Sequence, residues 1–272
     1  MAVRQRLTPA QREQFERDGF LVVRKVFTDD EVKGLCDTFM RLHALGLQGA
    51  LDWYRPTPPT QTDDPLKIYP RIMHPHRYDE TARRYMLDDR LLDILADLFG
   101  EEPMAAQSMF YFKPPGARGQ ALHQDNFYLK AHPGTCMAAW VAIDPADEEN
   151  GGMMVVPGTH RMDIVCPEEA DPNESFTTHF VPPPAGTQPI LVPLEAGDVL
   201  FFNGSLIHGS PPNRSRHRFR RAFICHYVGT SCTKIARYYL PLYLRDGRTI
   251  DLPVNEWGGP CGEEFPEPKG PH

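Results

Sequence analysis

From Met104 to Val228 the chain runs through about eight short β-rich segments separated by glycine and proline. They are Ala105–Phe112, Ala121–Asp125, Cys136–Ile143, Met153–Val156, Ile190–Leu194, Val199–Phe202, Leu206–His208 and Phe219–Val228. Runs of this length, rich in β-branched and aromatic residues and bounded by turn residues, are strands. Gly151-Gly152, Pro157-Gly158 and Gly197-Asp198 mark turns between them. Such a succession predicts a mainly β chain with flanking helices, folded as a double-stranded β-helix: a two-layer, cupin-like jelly roll.

The residues before this stretch read as helical support for it. Thr8, Pro9 and Gln11 have the spacing of a capping box with proline at the first helical position, and that helix ends at Gly19. Phe20–Val23 is a short strand. Thr28-Asp29-Asp30-Glu31 opens a second helix with acidic residues at its positive end. Residues 46–78 are irregular, with Trp53, Tyr54, Arg55, Lys67, Tyr69, Arg71, His74, His76 and Arg77 among them. A long loop that carries aromatic and basic side chains reads as a lid. Asp79–Leu87 and Arg90–Phe99 are two further helices. Beyond Tyr243 the sequence is loop-like, and Gly258–His272 is expected to be partly disordered. The chain is thus expected to be a single domain over 1–272. Helices and lid fill 1–103, the jelly-roll core 104–230, and a loop or tail 231–272.

Composition removes several classes. The 272 residues carry 29 basic against 36 acidic side chains, a net charge of −7, which gives no attractive field for nucleic acid. The basic tract from Arg214 to Arg221 is local. No apolar run is long enough to span a bilayer, and Met1–Thr8 lacks the apolar segment of a signal peptide. Six cysteines are scattered without a CxxC pair, against a zinc finger or disulfide scaffold. The expectation is a cytoplasmic protein, monomer or homodimer, acting on a small molecule and not on nucleic acid or membrane.

The chemistry centres on Leu122-His123-Gln124-Asp125-Asn126. On an extended strand His123 and Asp125, two apart, point to one face. An imidazole and a carboxylate facing the same way are two thirds of the 2-His-1-carboxylate triad that holds non-haem Fe(II) with positions left open. The best third candidate is His208, ahead of Gly209-Ser210 and the arginines beyond. His-x-Asp alone is a weak signal among eleven histidines. The neighbourhood strengthens it: Lys113-Pro114-Pro115-Gly116 before, Asn150-Gly151-Gly152 and Pro157-Gly158-Thr159-His160 after, and Phe219-Arg220-Arg221-Ala222 beyond His208.

With Ala139-Trp140-Val141-Ala142 and Met153-Met154-Val155-Val156, these pieces resemble the phytanoyl-CoA dioxygenase family of Fe(II)/2-oxoglutarate oxygenases over roughly residues 10–230. The resemblance implies a role at each matching position. His123, Asp125 and His208 match the iron ligands. Arg220 matches the arginine that grips the distal carboxylate of 2-oxoglutarate, a task suited to a bidentate guanidinium. The family's spacing from His to Arg is usually one residue shorter, so Arg218 is a rival on the same strand face and Arg221 lies on the other. Ser210, Trp140, Met109 and Gln107 match positions around the co-substrate, and Arg71 a further basic contact to it. Fe(II), 2-oxoglutarate and O2 would together hydroxylate a substrate. Asp125 favours hydroxylation, desaturation or rearrangement over chlorination, because related halogenases lack a carboxylate there.

The substrate itself is not spelled out. A small polar metabolite or secondary-metabolite intermediate is the expectation, with Tyr111, Phe127, Tyr128 and His74 as candidate pocket residues, although strand alternation would not turn them all inward. Two other readings compete. One is a non-catalytic jelly-roll protein that binds metal or ligand. The other is a cupin enzyme independent of 2-oxoglutarate, which would want Glu149 or His160 as a further ligand.

Overall fold

The computed structural model of the protein describes residues 6–256, so the tail from Gly258 to His272 lies outside the described residues. Two capping boxes open the first two helices, Pro9–Asp18 and Asp29–Leu47. The Thr8 N–H donates to Gln11 Oε1 at 2.9 Å, and the Thr28 N–H to Glu31 Oε2 at 2.8 Å. Both satisfy orphan donors at a helix start. Gly19 ends the first helix in the left-handed conformation at φ +82. Helices Glu80–Met86 and Asp89–Phe99 follow the irregular segment.

Most of the strands form two facing sheets, and Glu168–Glu169 pairs separately with His179–Phe180. The eight-stranded sheet runs in the order Phe20–Val23, Val199–Asn203, Met137–Ala142, Ala222–Gly229, Pro103–Tyr111, Leu242–Tyr243, Thr249–Ile250, with Ile72–Met73 also pairing to Pro103–Tyr111. The four-stranded sheet runs Gln120–His123, His208–Ser210, Met153–Val155, Ile190–Val192. All ladder pairs within these sheets are antiparallel, as a jelly roll requires.

The large sheet is covered on both faces, and strand alternation sorts its residues. Phe110, Val141, Phe201, Phe223 and Tyr227 turn outward and bury against Val32, Leu35, Phe39, Leu92 and Leu95 of the helices. Phe39 stacks on Phe110 with ring centroids 4.0 Å apart. Met109, Trp140, Leu200, Phe202 and Ile224 turn inward and meet Met153 and Val155 of the small sheet. The helices thus stiffen one face of a sheet whose other face lines the inside of the roll.

Several expectations shift. The strand bearing His208 begins there and does not end there, because Asn203–Leu206 closes a turn first, with the Leu206 N–H donating to Asn203 O at 2.9 Å. The strand bearing His123 ends at His123; Asp125 has helical angles (φ −61, ψ −38) and starts a single turn, Asn126–Leu129. The irregular segment is pinned by a helical turn at Pro65–Ile68 and by strand Ile72–Met73. The 231–256 stretch is not all loop, since Leu242–Tyr243 and Thr249–Ile250 pair. Cys36, Cys136, Cys225 and Cys232 are free thiols, and Cys166 is disulfide-bonded. Among the described residues no helix is long and apolar enough to cross a membrane.

Candidate active site

His123 and His208 face each other as cross-strand partners in the small sheet, with ring centroids 4.3 Å apart. Each ring is anchored through Nδ1 to the carbonyl two residues earlier: His123 to Ala121 O at 2.7 Å, His208 to Leu206 O at 2.9 Å. A carbonyl only accepts, so Nδ1 of each ring carries a proton, and Nε2 is the ring nitrogen turned inward. Asp125 Oδ1 lies 3.4 Å from the first Nε2 and 3.5 Å from the second. The three donor atoms lie within 4.8 Å of one another, all buried, and could hold a metal ion.

Gln124 explains how a non-strand Asp125 reaches that point. Its buried carboxamide donates to Ser205 O at 2.8 Å and accepts from the Val165 N–H at 2.8 Å. The Asn126 N–H donates to Gly204 O at 2.9 Å. These bonds fix the corner after His123 and swing the carboxylate back under it.

The second carboxylate oxygen has its own partner. His226 Nε2 donates to Asp125 Oδ2 at 2.9 Å, with both side chains 1% exposed. Burial alone would raise the Asp125 carboxyl, but His208, His226 and His123 hold it well below the usual range. Burial and the neighbouring His208 push the His123 imidazole down. The site therefore offers an ionised carboxylate beside a neutral His123 imidazole, the forms that bind metal. His226 lies on the inward face of its strand, in line with Ala222 and Ile224. Its place in the sequence, on the strand beyond Arg220, reads as a core or pocket-wall histidine, and it lines the cavity.

The three donors sit in one wall of a cavity of about 320 Å³. Met109, Tyr111, Trp140, Ser210, Arg220 and Arg71 also line it. Arg220 is 3% exposed, with its Cζ 5.1 Å from the Trp140 ring. Burial pushes its guanidinium down to about 10. Its rivals point elsewhere. Arg218 pairs with Asp147 and Glu149 at 2.7 Å each near the surface, and Arg221 with Asp144 at 2.7 Å. Arg71 donates to the Tyr111 hydroxyl at 3.0 Å and lies over the Phe176 ring at 5.3 Å. Lys113, known from the sequence only as part of a motif, is also in the wall.

Four candidates are not in that wall. Gln107 is fully buried beneath it, paired with His226 at a bulge that shifts the register between His226 and Tyr227. Phe127 packs with Leu129, Val228 and Tyr239. Tyr128 shares a 2.9 Å hydrogen bond with His179 Nδ1. Both leave the strand pattern because the chain turns helical after Asp125. His74 takes a left-handed φ of 50 and is buried beside His76 and Tyr239, with ring centroids 5.6 and 6.3 Å away. Glu149 is engaged by Arg218, and His160 by Glu16 O at 3.2 Å, so neither joins the cluster.

A two-layer jelly roll with two imidazoles and a carboxylate grouped in its cavity is the build of a non-haem iron oxygenase. The phytanoyl-CoA dioxygenase (PhyH) family model matches residues 15–222, and the chain belongs to that family of Fe(II)- and 2-oxoglutarate-dependent oxygenases. The peroxisomal phytanoyl-CoA dioxygenase of Mus musculus is 29% identical over 237 residues, covering 83% of this chain and 70% of that protein. Among solved structures, iron-bound EctD from S. alaskensis aligns with a TM-score of 0.68 at 23% identity, over 92% of this chain and 87% of that one. The epimerase SnoN, in complex with Fe3+, alpha ketoglutarate and nogalamycin RO, aligns at 0.64 and 22% identity, over 82% of this chain and 84% of that one. At these identities the two structures establish the fold.

Proposed function

We propose that His123, Asp125 and His208 hold the iron, that Arg220 binds the distal carboxylate of 2-oxoglutarate, and that the substrate is a small polar metabolite or secondary-metabolite intermediate that becomes hydroxylated. The observation that carries this is the donor set itself. Two Nδ1-anchored imidazoles aim Nε2 at Asp125 Oδ1, lining the same cavity as a buried arginine that forms no ion pair among the described residues. When bound, iron with 2-oxoglutarate and O2 supplies oxidative decarboxylation to succinate and carbon dioxide, together with oxygen transfer to a C–H bond.

The chain's own residues orient and enclose. Trp140 supports the Arg220 guanidinium face-on, and Met109 and Ser210 border the same end. Tyr69, Phe112 and Phe176 add aromatic surface to the cavity lining. Tyr111, Arg71, Gln120, Lys67 and Arg118 add polar groups to the lining, and these are the side chains available to orient a polar substrate. The fold relative SnoN carries the name epimerase, so rearrangement without oxygen insertion is the competing outcome at this site. The same reading takes the protein as a cytoplasmic monomer or homodimer that leaves nucleic acid alone, its net charge of −7 offering no attraction.

The test is a panel of small polar metabolites, natural-product intermediates and acyl thioesters, scored for stimulated succinate formation and for product mass. Stimulation by a polar small molecule with one added oxygen is expected. Stimulation by acyl thioesters alone would overturn the substrate reading, and a product of unchanged mass would overturn hydroxylation.

A further inference from the structure

Beside Arg220 the cavity holds a second buried cation. Lys113 is 4% exposed, and its ammonium forms no ion pair among the described residues. Lysine is almost never fully buried unless paired, so a buried lysine without a carboxylate needs a reason. Its Nζ donates to Ser210 Oγ at 2.8 Å and to Gly151 O at 3.0 Å. Arg220 uses the same two acceptors, through Nη2 to Ser210 Oγ at 3.4 Å and Nε to Gly151 O at 3.2 Å.

A serine hydroxyl has two lone pairs and one proton. At Ser210 both lone pairs face cationic donors, so its proton must be donated elsewhere, and Ser210 lines the cavity. The backbone is shaped to allow this. Gly151 has φ +75, and a Cβ there would lie 2.8 Å from Lys113 Nζ and 2.4 Å from Pro211 O. Lys113 itself is held at φ 39, its carbonyl accepting from the Arg220 N–H at 3.1 Å and from Asn213 Nδ2 at 2.9 Å.

We propose that Lys113 is a positioning residue for the co-substrate: it fixes the Ser210 hydroxyl so that its proton, together with the Arg220 guanidinium, meets the distal carboxylate of 2-oxoglutarate. The inference rests on the placement of 2-oxoglutarate against Arg220. Burial and the neighbouring Arg220 hold the Lys113 ammonium well below its usual range, so this corner favours the arrival of a carboxylate.

The test is calorimetric binding of 2-oxoglutarate to the Mn(II)-loaded protein in the absence of substrate, for the unsubstituted chain, Lys113→Met, Ser210→Ala and the double variant. Each single change is expected to weaken binding about tenfold, the loss of one charge-assisted hydrogen bond. The double variant is expected to lose little more than either single one, because the two residues act as a unit. Mn(II) affinity stays unchanged, which a general loss of structure would not allow. Multiplying losses in the double variant would overturn the proposal, as would unweakened binding by Lys113→Met. Ser210→Ala is a small change that tests the proposal even if Lys113→Met fails to fold: unweakened binding there removes the hydroxyl from the carboxylate and the idea with it. Failure of the unsubstituted protein to bind 2-oxoglutarate is a separate result, and it would overturn the Arg220 placement itself.

Discussion

Replacing His226 by phenylalanine tests the site at a residue that makes no claim to touch the metal. The change keeps a ring of similar size in the strand and removes the donor to Asp125 Oδ2, now 2.9 Å away. Both groups are 1% exposed, so water is not at hand to replace the lost bond. A hydrogen bond to a buried charged group contributes roughly 1.5–3 kcal/mol, and partners that orient metal ligands are typically worth about 10–100-fold in metal affinity. Two effects act in the same direction. The carboxylate loses the partner that orients it, and it loses one of the groups holding its carboxyl below the usual range. His226→Phe should therefore raise the Kd for Mn(II) by about 10–100-fold in anaerobic calorimetry. At a fixed saturating metal concentration this removes about 1.4–2.7 kcal/mol of metal-induced stabilisation. His226→Gln retains an N–H donor and should recover part of the loss. Metal affinity in His226→Phe within twofold of the parent would refute the argument that this bond shapes the site.

The two candidate arginines should separate cleanly. Arg220→Ala strands a carboxylate in a buried pocket and should raise the KM for 2-oxoglutarate by at least about 30-fold, whereas Arg218→Ala, which breaks part-exposed pairs to Asp147 and Glu149, should change it by less than about threefold; the opposite order would show that the strand register is wrong. His74 and His76 are buried with pKa values pushed down to about 3 and about 2, below the ordinary 6.5. The unfolded chain therefore binds the protons first, so their contribution to stability is complete above pH 6.5 and is lost as pH falls below it. The loss runs at about 1.4 kcal/mol per pH unit for each, or about 4 kcal/mol together by pH 5. His74→Gln should remove about half of that pH dependence in denaturant melts, and an unchanged slope would contradict it. Phe39→Ala deletes a fully buried ring stacked on Phe110 and should cost about 3–5 kcal/mol in urea unfolding while leaving metal affinity untouched; a parallel loss of metal affinity would mean the helical layer and the site are coupled.

What was legible in the sequence was whatever local chemistry writes down. The Thr8–Gln11 and Thr28–Glu31 caps depend on residues three apart, and the strands on short apolar runs between turns, so both could be read directly. His123 and His208 stood out through their neighbours. Of the candidates that fall outside the cavity lining, Phe127, Tyr128 and His74 are moved by local turns: the chain turns helical after Asp125, and His74 takes a left-handed φ. Phe127 and Tyr128 follow a corner fixed by Gln124, Ser205 and Val165, contacts that no local window contains. Gln107 keeps the strand face of Met109 and sits opposite His226, but it is fully buried and is not among the residues that line the cavity. Lys113 and His226 were missed as working parts because their partners are 97 and 101 residues away in the chain. A lone lysine or histidine in a strand-rich run looks like packing until pairing brings its partner beside it.

The most direct measurement is succinate formation from 2-oxoglutarate by the anaerobically iron-loaded protein on exposure to O2, compared with His123→Ala, His208→Ala and Arg220→Ala at matched protein concentration. The parent should form succinate slowly without substrate. His123→Ala and His208→Ala should abolish it together with iron binding, and Arg220→Ala should retain iron but turn over only at high 2-oxoglutarate. Succinate formation by His123→Ala and His208→Ala at the parent rate would contradict the assigned iron site. No succinate and no 2-oxoglutarate binding by a parent carrying stoichiometric iron would contradict the account as a whole.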